Sequence, residues 1–156
     1  LAFLEETGFR QVILNLAINA RDAIERNGKI KICLRRVRKG QAIMNGASGE
    51  VRTAPVNGAE ISLSDNGKGI PEDVEEKLFD PFFTTKESSS GSGFGLYNTK
   101  LFIEDHNGEI GFSSEEGQGS TFYLFLPLAI DDEDDQSSRT KRMRRATREF
   151  IKTRKR

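Results

Sequence analysis

Three amide side chains follow one another at four-residue intervals near the start of the chain. They are Gln11, Asn15 and Asn19, and in an α-helix this spacing places them on one ridge. An amide oxygen can coordinate Mg²⁺ without adding charge, which suits a site where phosphates already bring the anions. The same spacing also fits a polar stripe that faces solvent or a neighbouring loop. This segment alone leaves both interpretations open.

A second polar segment begins at Asp65, directly after a predicted strand. An aspartate at a strand end can accept a hydrogen bond from an exocyclic amine. Gly67 and Gly69 allow the backbone to turn and to come close to a flat ring. An ordinary Asn-Gly turn would explain the same residues without any ligand.

Two further segments carry groups that suit phosphate. Residues 79–86 combine aromatic residues, which are typical core anchors, with the hydroxyls of Thr84 and Thr85 and the cation of Lys86. Residues 91–96 are rich in glycine and precede a predicted helix, so their N–H groups and the helix dipole would favour an anion. A flexible linker has a similar composition, so the glycines alone are weak evidence.

Hydrophobic periodicity supplies the elements that would position these segments. The first helix is predicted to be capped by Thr7 and stopped by Asn27-Gly28. Residues 38–57 resemble a long hairpin connection. The pattern predicts helices at residues 9–26, 72–78 and 95–105 and strands at residues 29–37, 59–65, 109–113 and 120–127. This element order indicates an α+β fold, a two-layer α/β sandwich.

The composition fits one domain with tails in a chain of 156 residues. The single cysteine, Cys33, excludes an intramolecular disulfide and a cysteine-based zinc site. It also fits a reducing compartment, so the cytoplasm is the expected location of this domain. The sequence has no run of about eighteen apolar residues, so no segment is expected to span a membrane.

The net charge of zero hides an uneven distribution. Residues 139–156 hold ten of the 24 Lys/Arg and one of the 24 Asp/Glu, which leaves 14 basic and 23 acidic residues in 1–138. Residues 131–135 are consecutive acids that bury nothing, so residues 131–156 are predicted to be a disordered acidic linker and basic tail. A nucleic-acid or membrane arm is the alternative interpretation; no nucleic-acid partner is expected.

The order of the four segments is far more specific than any one of them. In this order the sequence resembles the GHKL superfamily of ATP-binding domains, and within it the catalytic domain of two-component sensor histidine kinases. The resemblance covers about residues 10–128. The N, G1, F, G2 and terminal glycine boxes of the family resemble, in turn, residues 15–23, 65–70, 79–86, 91–96 and 117–122.

The resemblance implies the Bergerat sandwich, with a mixed sheet and its helices on one face. Residues 1–130 would form an ATP-binding catalytic domain that is truncated at its N-terminus, because the family places a further strand and short helix before the N box. The sheet would then be one strand short, with an open edge.

The resemblance also assigns roles around ATP and Mg²⁺. Asn19 would coordinate the metal, Asp65 would accept the adenine amino proton, and Thr121 would close the adenine side. Catalytic roles would fall on Asn15 and Lys86. Many relatives carry Lys or Arg where Asp22 stands, so Arg21 is the expected substitute. The implied nucleotide-binding residues are Asn19, Arg21, Asp22, Asp65, Gly67, Gly69, Ile70, Thr84, Thr85, Lys86, Gly91, Gly93, Phe94, Gly95, Leu96 and Thr121.

The implied activity is transfer of the ATP γ-phosphate to a histidine on a separate dimerisation domain, with a response regulator downstream and a parent that is compatible with membrane anchoring. The only histidine, His106, is predicted to be structural, so the acceptor would lie upstream of Leu1. A GHKL-type ATPase is an alternative, but it needs a Glu where Asn15 stands. A degenerate nucleotide-binding scaffold is another.

Overall fold

The computed structural model describes residues 4–25, 27–44, 50–85 and 93–128. Predictions for the tail beyond residue 128, for Lys86 and for Gly91 lie outside these residues. The helices and strands, in chain order, are α1 (Glu6–Ala23), β1 (Ile30–Val37), β2 (Ala42–Met44), β3 (Val51–Thr53), β4 (Gly58–Asp65), α2 (Glu72–Glu75), α3 (Gly95–Asp105), β5 (Glu109–Glu115) and β6 (Gly119–Pro127).

Helix α1 begins three residues earlier than its apolar stripe predicts. Its N-cap is Glu5, whose carboxylate accepts hydrogen bonds from the N–H groups of Thr7 (3.0 Å) and Gly8 (2.7 Å). The prediction that Thr7 caps the helix is therefore wrong, because Thr7 already lies in the first turn. The helix ends at Ala23, where Ile24 turns to an extended backbone.

The cap predicts a pH-dependent contribution to stability. The Gly8 N–H, above all, lowers the pKa of the Glu5 carboxyl below its usual range, since it stabilises the charged form. A lowered folded-state pKa gives stability that is present above the unfolded pKa and is lost as the pH falls through the folded value. Glu5→Gln should lower the thermal unfolding midpoint at neutral pH, and the difference should be lost as the pH falls through the folded-state pKa of Glu5.

A matched variant separates the cap from simple charge. Glu6→Gln removes the same charge in the same turn, but Glu6 pairs with Arg10 at the surface instead of capping the helix. It should therefore shift the midpoint less than Glu5→Gln. Equal shifts, or a Glu5→Gln shift that persists in acid, would show that the cap contributes nothing of its own.

The main sheet has the strand order β1-β4-β6-β5. All of its pairs are antiparallel, so the expected mixture of parallel and antiparallel pairs is wrong for the described strands. The reason lies in the connections: a tight turn joins β5 to β6, and β6 returns between β5 and β4. That return places antiparallel neighbours on both sides of β6, with α3 as the crossover.

The helices cover one face of this sheet, which confirms the two-layer sandwich. Leu16 of α1 and Ile103 of α3 pack with Leu63, Leu124 and Phe112 of the strands, and all five side chains are almost fully buried. Burying an apolar side chain of this size contributes about 1.5–3 kcal/mol. This core fixes α1 and α3 against the sheet.

The opposite face carries a small hairpin within the predicted connection 38–57. Strands β2 and β3 pair with each other, and their Ile43 packs in a second cluster with Val37, Ala54 and Phe125. An ion pair between Arg35 and Glu60 (2.6 Å) attaches the hairpin to the sheet, since Arg35 also donates to the Ala42 carbonyl (2.8 Å). Glu60 raises the pKa of Arg35 through this hydrogen bond.

Strand β1 lies at one edge of the sheet, and its apolar side chains are poorly covered. Ile32 and Leu34 are 53% and 72% exposed and line an apolar groove with Phe9 and Ile13 of α1.

In the described part of the chain, no helix is both long and apolar enough to cross a membrane.

Candidate functional site

A cavity of about 520 Å³ lies between α1, the loops around α2, the start of α3 and the β5–β6 turn. It brings together parts of all the predicted boxes. Of the residues implied by the family resemblance, the cavity is lined by Asn15, Asn19, Asp22, Gly69, Ile70, Thr84, Thr85, Gly93, Gly95 and Leu96.

The cavity-facing side of α1 carries Asn15, Asn19 and Asp22. Their spacing of four and three residues keeps them within one face of a helix. Arg21 points elsewhere: its side chain is mostly exposed and pairs with Asp22 at 2.7 Å. Since Arg21 does not line the cavity, the structure does not support it as a substitute phosphate ligand; the acid Asp22 occupies that place.

The Asn15 amide is held from two sides. Its Oδ1 accepts from Gln11 Nε2 (2.8 Å), and its Nδ2 donates to the carbonyl of Gly95 in α3 (3.2 Å). Asn15 thereby links the ridge on α1 to the first turn of α3. An amide engaged in this way acts as a tie between two elements.

Asp65 lies directly behind Ser120 at one end of the site and is 8% exposed. Its Oδ1 accepts from the Gly67 N–H (2.8 Å), and its Oδ2 accepts from the hydroxyl of Ser120 (2.6 Å). Ser120 lines the cavity, whereas Asp65 and Gly67 lie behind the surface. Because Ser120 donates inward, its lone pairs are left to face the cavity.

Thr121 lies on the wrong face of β6 for the role expected of it. Its register partner is Ser64, and its hydroxyl donates to the Ser64 hydroxyl at 2.9 Å. Successive side chains of a strand alternate between faces, so Phe122 and Ser120 line the cavity and Thr121 cannot. The sequence carried this signal, because the buried Phe122 fixes the parity of the strand.

The β5–β6 turn clamps the loop that follows β4. The Gly117 N–H donates to the Lys68 carbonyl (2.7 Å), and the Ile70 N–H donates to the Ser114 hydroxyl (2.8 Å). Lys68 and Glu116 both line the cavity mouth. The terminal glycine box therefore positions the predicted adenine loop.

The opposite wall is built by the aromatic loop and the start of α3. Phe83, Thr84 and Thr85 line the cavity. Phe82 and Phe94 do not line it, but stack edge-to-face with ring centroids 4.6 Å apart. This contact joins the two loops that flank residues 86–92, where the predicted Lys86 and Gly91 lie outside the described residues.

His106 belongs to a different part of the fold. It is the C-cap of α3, its Nδ1 lies 2.7 Å from the Phe102 carbonyl, and its ring contacts the Phe102 ring. It lines the apolar groove beside β1 instead of the cavity. This setting agrees with a structural role, while its lack of phosphorylation stays a prediction.

The lining fits a nucleotide with its metal. Asn19 and Asp22 present amide and carboxylate oxygens one turn apart, and such hard oxygen ligands are those Mg²⁺ prefers. Ile70 and Phe122 give apolar surface for a flat ring. The first turn of α3 adds backbone N–H groups at the other end.

Comparison with known proteins points the same way. A family model described as histidine kinase-, DNA gyrase B-, and HSP90-like ATPase matches residues 4–130. The sensor kinase CckA of Brucella abortus (strain 2308) is 40% identical over 144 residues, which cover 89% of this chain and 15% of that protein. The sensor histidine kinase ZraS of Escherichia coli (strain K12) is 40% identical over 126 residues, which cover 81% and 23%.

Solved structures show the same fold. The nucleotide-free catalytic domain of histidine kinase ThkA superimposes with a TM-score of 0.60 at 33% identity, covering 80% of this chain and 68% of that one. Full-length ShkA in complex with AMPPNP gives a TM-score of 0.61 at 25% identity, covering 81% and 22%. The chain thus spans a small part of the sensor kinases that it resembles.

Proposed function

Because this chain belongs to the family of histidine kinase-, DNA gyrase B- and HSP90-like ATPases, we propose that it is the ATP-binding catalytic domain of a sensor histidine kinase. It transfers the γ-phosphate of Mg-ATP to a histidine on a separate dimerisation domain. The observation that carries this proposal is the convergence of Asn19, Ser120 with Asp65 behind it, and Gly93 on one cavity.

The adenine end is the floor formed by Asp65 and Ser120. Two inward donors, the Gly67 N–H and the Ser120 hydroxyl, hold the carboxylate in place. The floor therefore presents acceptors, and the exocyclic amine of adenine is a donor. Gly69 and Ile70 give the ring a wall that the β5–β6 turn keeps in position.

The phosphate end lies between α1 and α3. The N–H groups of the first turn of α3 and the helix dipole favour negative charge beside Gly93 and Gly95. Asn19 and Asp22 would hold Mg²⁺, which when bound neutralises phosphate charge. Catalysis by these residues is positioning and charge neutralisation without a covalent enzyme intermediate.

The position of Asn15 argues against an efficient ATPase. Water activation by a general base needs a group that takes a proton, and an amide cannot do so. Both polar atoms of Asn15 are already engaged, with Gln11 and Gly95. We therefore expect slow hydrolysis and transfer to a protein acceptor instead.

Two measurements test the function. Calorimetry should show Mg-dependent binding of a non-hydrolysable ATP analogue with a Kd of roughly 1–100 μM. With labelled ATP the chain should phosphorylate an added dimerisation domain of its parent on histidine, and not itself. Absence of binding at millimolar nucleotide would reject the proposal, and acid-labile phosphate on His106 would overturn the structural interpretation of that residue.

Adjacent residues of β6 test the adenine end. Ser120→Ala removes the donor to Asp65 Oδ2 and should weaken ATP-analogue binding by about tenfold, since hydrogen bonds to charged groups contribute about 1.5–3 kcal/mol. Thr121→Val removes a hydrogen bond on the opposite face and should leave affinity within about twofold. A larger loss in Thr121→Val than in Ser120→Ala would reverse the assignment.

The proposal extends to the partners. A histidine-bearing dimerisation domain receives the phosphate, and a response regulator takes it up downstream. The parent is a sensor kinase, compatible with membrane anchoring, whose catalytic domain works in the cytoplasm. Residues 1–130 are the catalytic domain, and residues 131–156 remain predicted as an acidic linker and basic tail.

A further inference from the structure

Gln11 contacts the site only through another residue. It lies one turn before Asn15 on α1, is exposed, and does not line the cavity. Its Nε2 donates to Asn15 Oδ1 at 2.8 Å. The nucleotide-binding role described above gives Gln11 no part, yet this contact acts directly on a cavity residue.

The contact agrees with only one orientation of the Asn15 amide. An amide has one accepting end and one donating end. With Gln11 donating to Oδ1, the Nδ2 group is directed to the Gly95 carbonyl, 3.2 Å away. In the reversed orientation Oδ1 would face that carbonyl, and two acceptors would repel each other.

The Gly95 carbonyl is an anchor of the first turn of α3. Besides Asn15, the hydroxyl of the fully buried Thr99 donates to it at 2.8 Å. Gly95 and Leu96 line the cavity at its phosphate end. The orientation of Asn15 therefore bears on where the N–H groups of this turn are held relative to α1.

We propose that Gln11 is a positioning residue: by donating to Asn15 it fixes the orientation of that amide, and through Gly95 it places the first turn of α3 for the nucleotide phosphates. This inference rests on the proposed function. It makes the chemical class of residue 11 decisive, because the side chain must donate a hydrogen bond.

Three substitutions of Gln11 separate the effect of the donated hydrogen bond from the effect of side-chain size. Gln11→Lys keeps a donor and should bind the non-hydrolysable ATP analogue within about twofold of the unaltered chain. Gln11→Met is of similar length but has no hydrogen-bonding group and should bind a few-fold more weakly. Gln11→Glu can only accept, so it should draw Nδ2 away from Gly95 and weaken binding about three- to tenfold.

Charge alone could produce the same order, since Lys attracts and Glu repels a polyanion. The series is therefore repeated in an Asn15→Ala background, where the orientation effect has no target. There the Lys and Glu variants should differ by less than about twofold, because exposed charges are largely screened at about 0.15 M salt. A difference as large as in the Asn15 background would overturn the proposal.

Nuclear magnetic resonance gives a readout that does not depend on activity. In a nucleotide-free, ¹⁵N-labelled sample, the side-chain amide signals of Asn15 should shift in Gln11→Glu and stay close to their original position in Gln11→Lys. Unchanged Asn15 signals in Gln11→Glu would overturn the inference. Binding of the ATP analogue by the unaltered chain, measured alongside, shows whether the proposed function itself holds.

Discussion

Replacing Asp65 by asparagine is expected to weaken ATP binding by at least about 100-fold and to remove most of the preference for adenine. The Asn carbonyl can still accept from the Gly67 N–H, so its Nδ2 group would face Ser120. Ser120 would then accept that bond and turn its own proton to the cavity. The floor of the site would change from acceptor to donor.

The change of polarity explains why the loss should depend on the base. Adenine presents an amine donor where guanine presents a carbonyl acceptor. A floor that donates a hydrogen bond cannot pair with the adenine amine, whereas it can pair with the guanine carbonyl. We therefore expect the ratio of ATP to GTP affinity, measured by calorimetry, to fall, because the affinity for ATP drops while the affinity for GTP does not.

The matched control is Asp73→Asn, which makes the same chemical change at an exposed position in the first turn of α2. It should leave both affinities unchanged. Circular dichroism should show that Asp65→Asn remains folded at the temperature of the binding measurement. A folded Asp65→Asn variant that retains the original ATP-over-GTP ratio would exclude the carboxylate from purine recognition.

Local sequence patterns predict the elements in which buried and exposed residues alternate with a regular period. Helix α3 runs from Gly95 to Asp105, as its periodicity predicts, and the alternating residues of β4 give a strand within one residue of the expected range. The predicted ridge of Gln11, Asn15 and Asn19 holds in part, since Asn15 and Asn19 line the cavity and Gln11 does not.

Local sequence patterns do not predict features that depend on contacts with residues elsewhere in the chain. Strands β2 and β3 are each three residues long, too short to show a period, and they are held by Phe125 and by the Arg35–Glu60 pair. The cap of α1 was predicted wrongly because Glu5, Glu6 and Thr7 each carry an oxygen that can accept a hydrogen bond, and the sequence alone does not separate them.

The choice between Ser120 and Thr121 shows how much rests on register. Both are small hydroxyl residues next to the glycine box, and the family resemblance alone does not separate them. The structure separates them, because Thr121 pairs with Ser64 on one face of the sheet and Phe122 packs in the core on the other. A slip of one residue in β6 would exchange their faces.

Backbone strain should limit which residues the β5–β6 turn accepts. Gly117 and Gly119 both have positive φ, +81° and +115°, which side chains rarely adopt. A Cβ at Gly117 would meet nothing within 4 Å, whereas at Gly119 it would overlap the Asp65 carbonyl oxygen. Gly117→Ala should therefore cost about 1–2 kcal/mol, from backbone strain alone.

Gly119→Ala should cost about 3 kcal/mol or more, because strain is joined by a clash with a backbone atom that cannot move without shifting β4. The shift would displace Asp65 from Ser120 and so reduce nucleotide affinity as well. Denaturant unfolding of both variants gives the two free energies, and calorimetry gives the affinities. Both variants place the same side chain in the same turn. Equal losses in the free energy of unfolding would therefore mean that the clash with the Asp65 backbone contributes nothing. A larger loss confined to Gly119→Ala, in stability and in ATP affinity together, would tie the glycine box to the adenine floor.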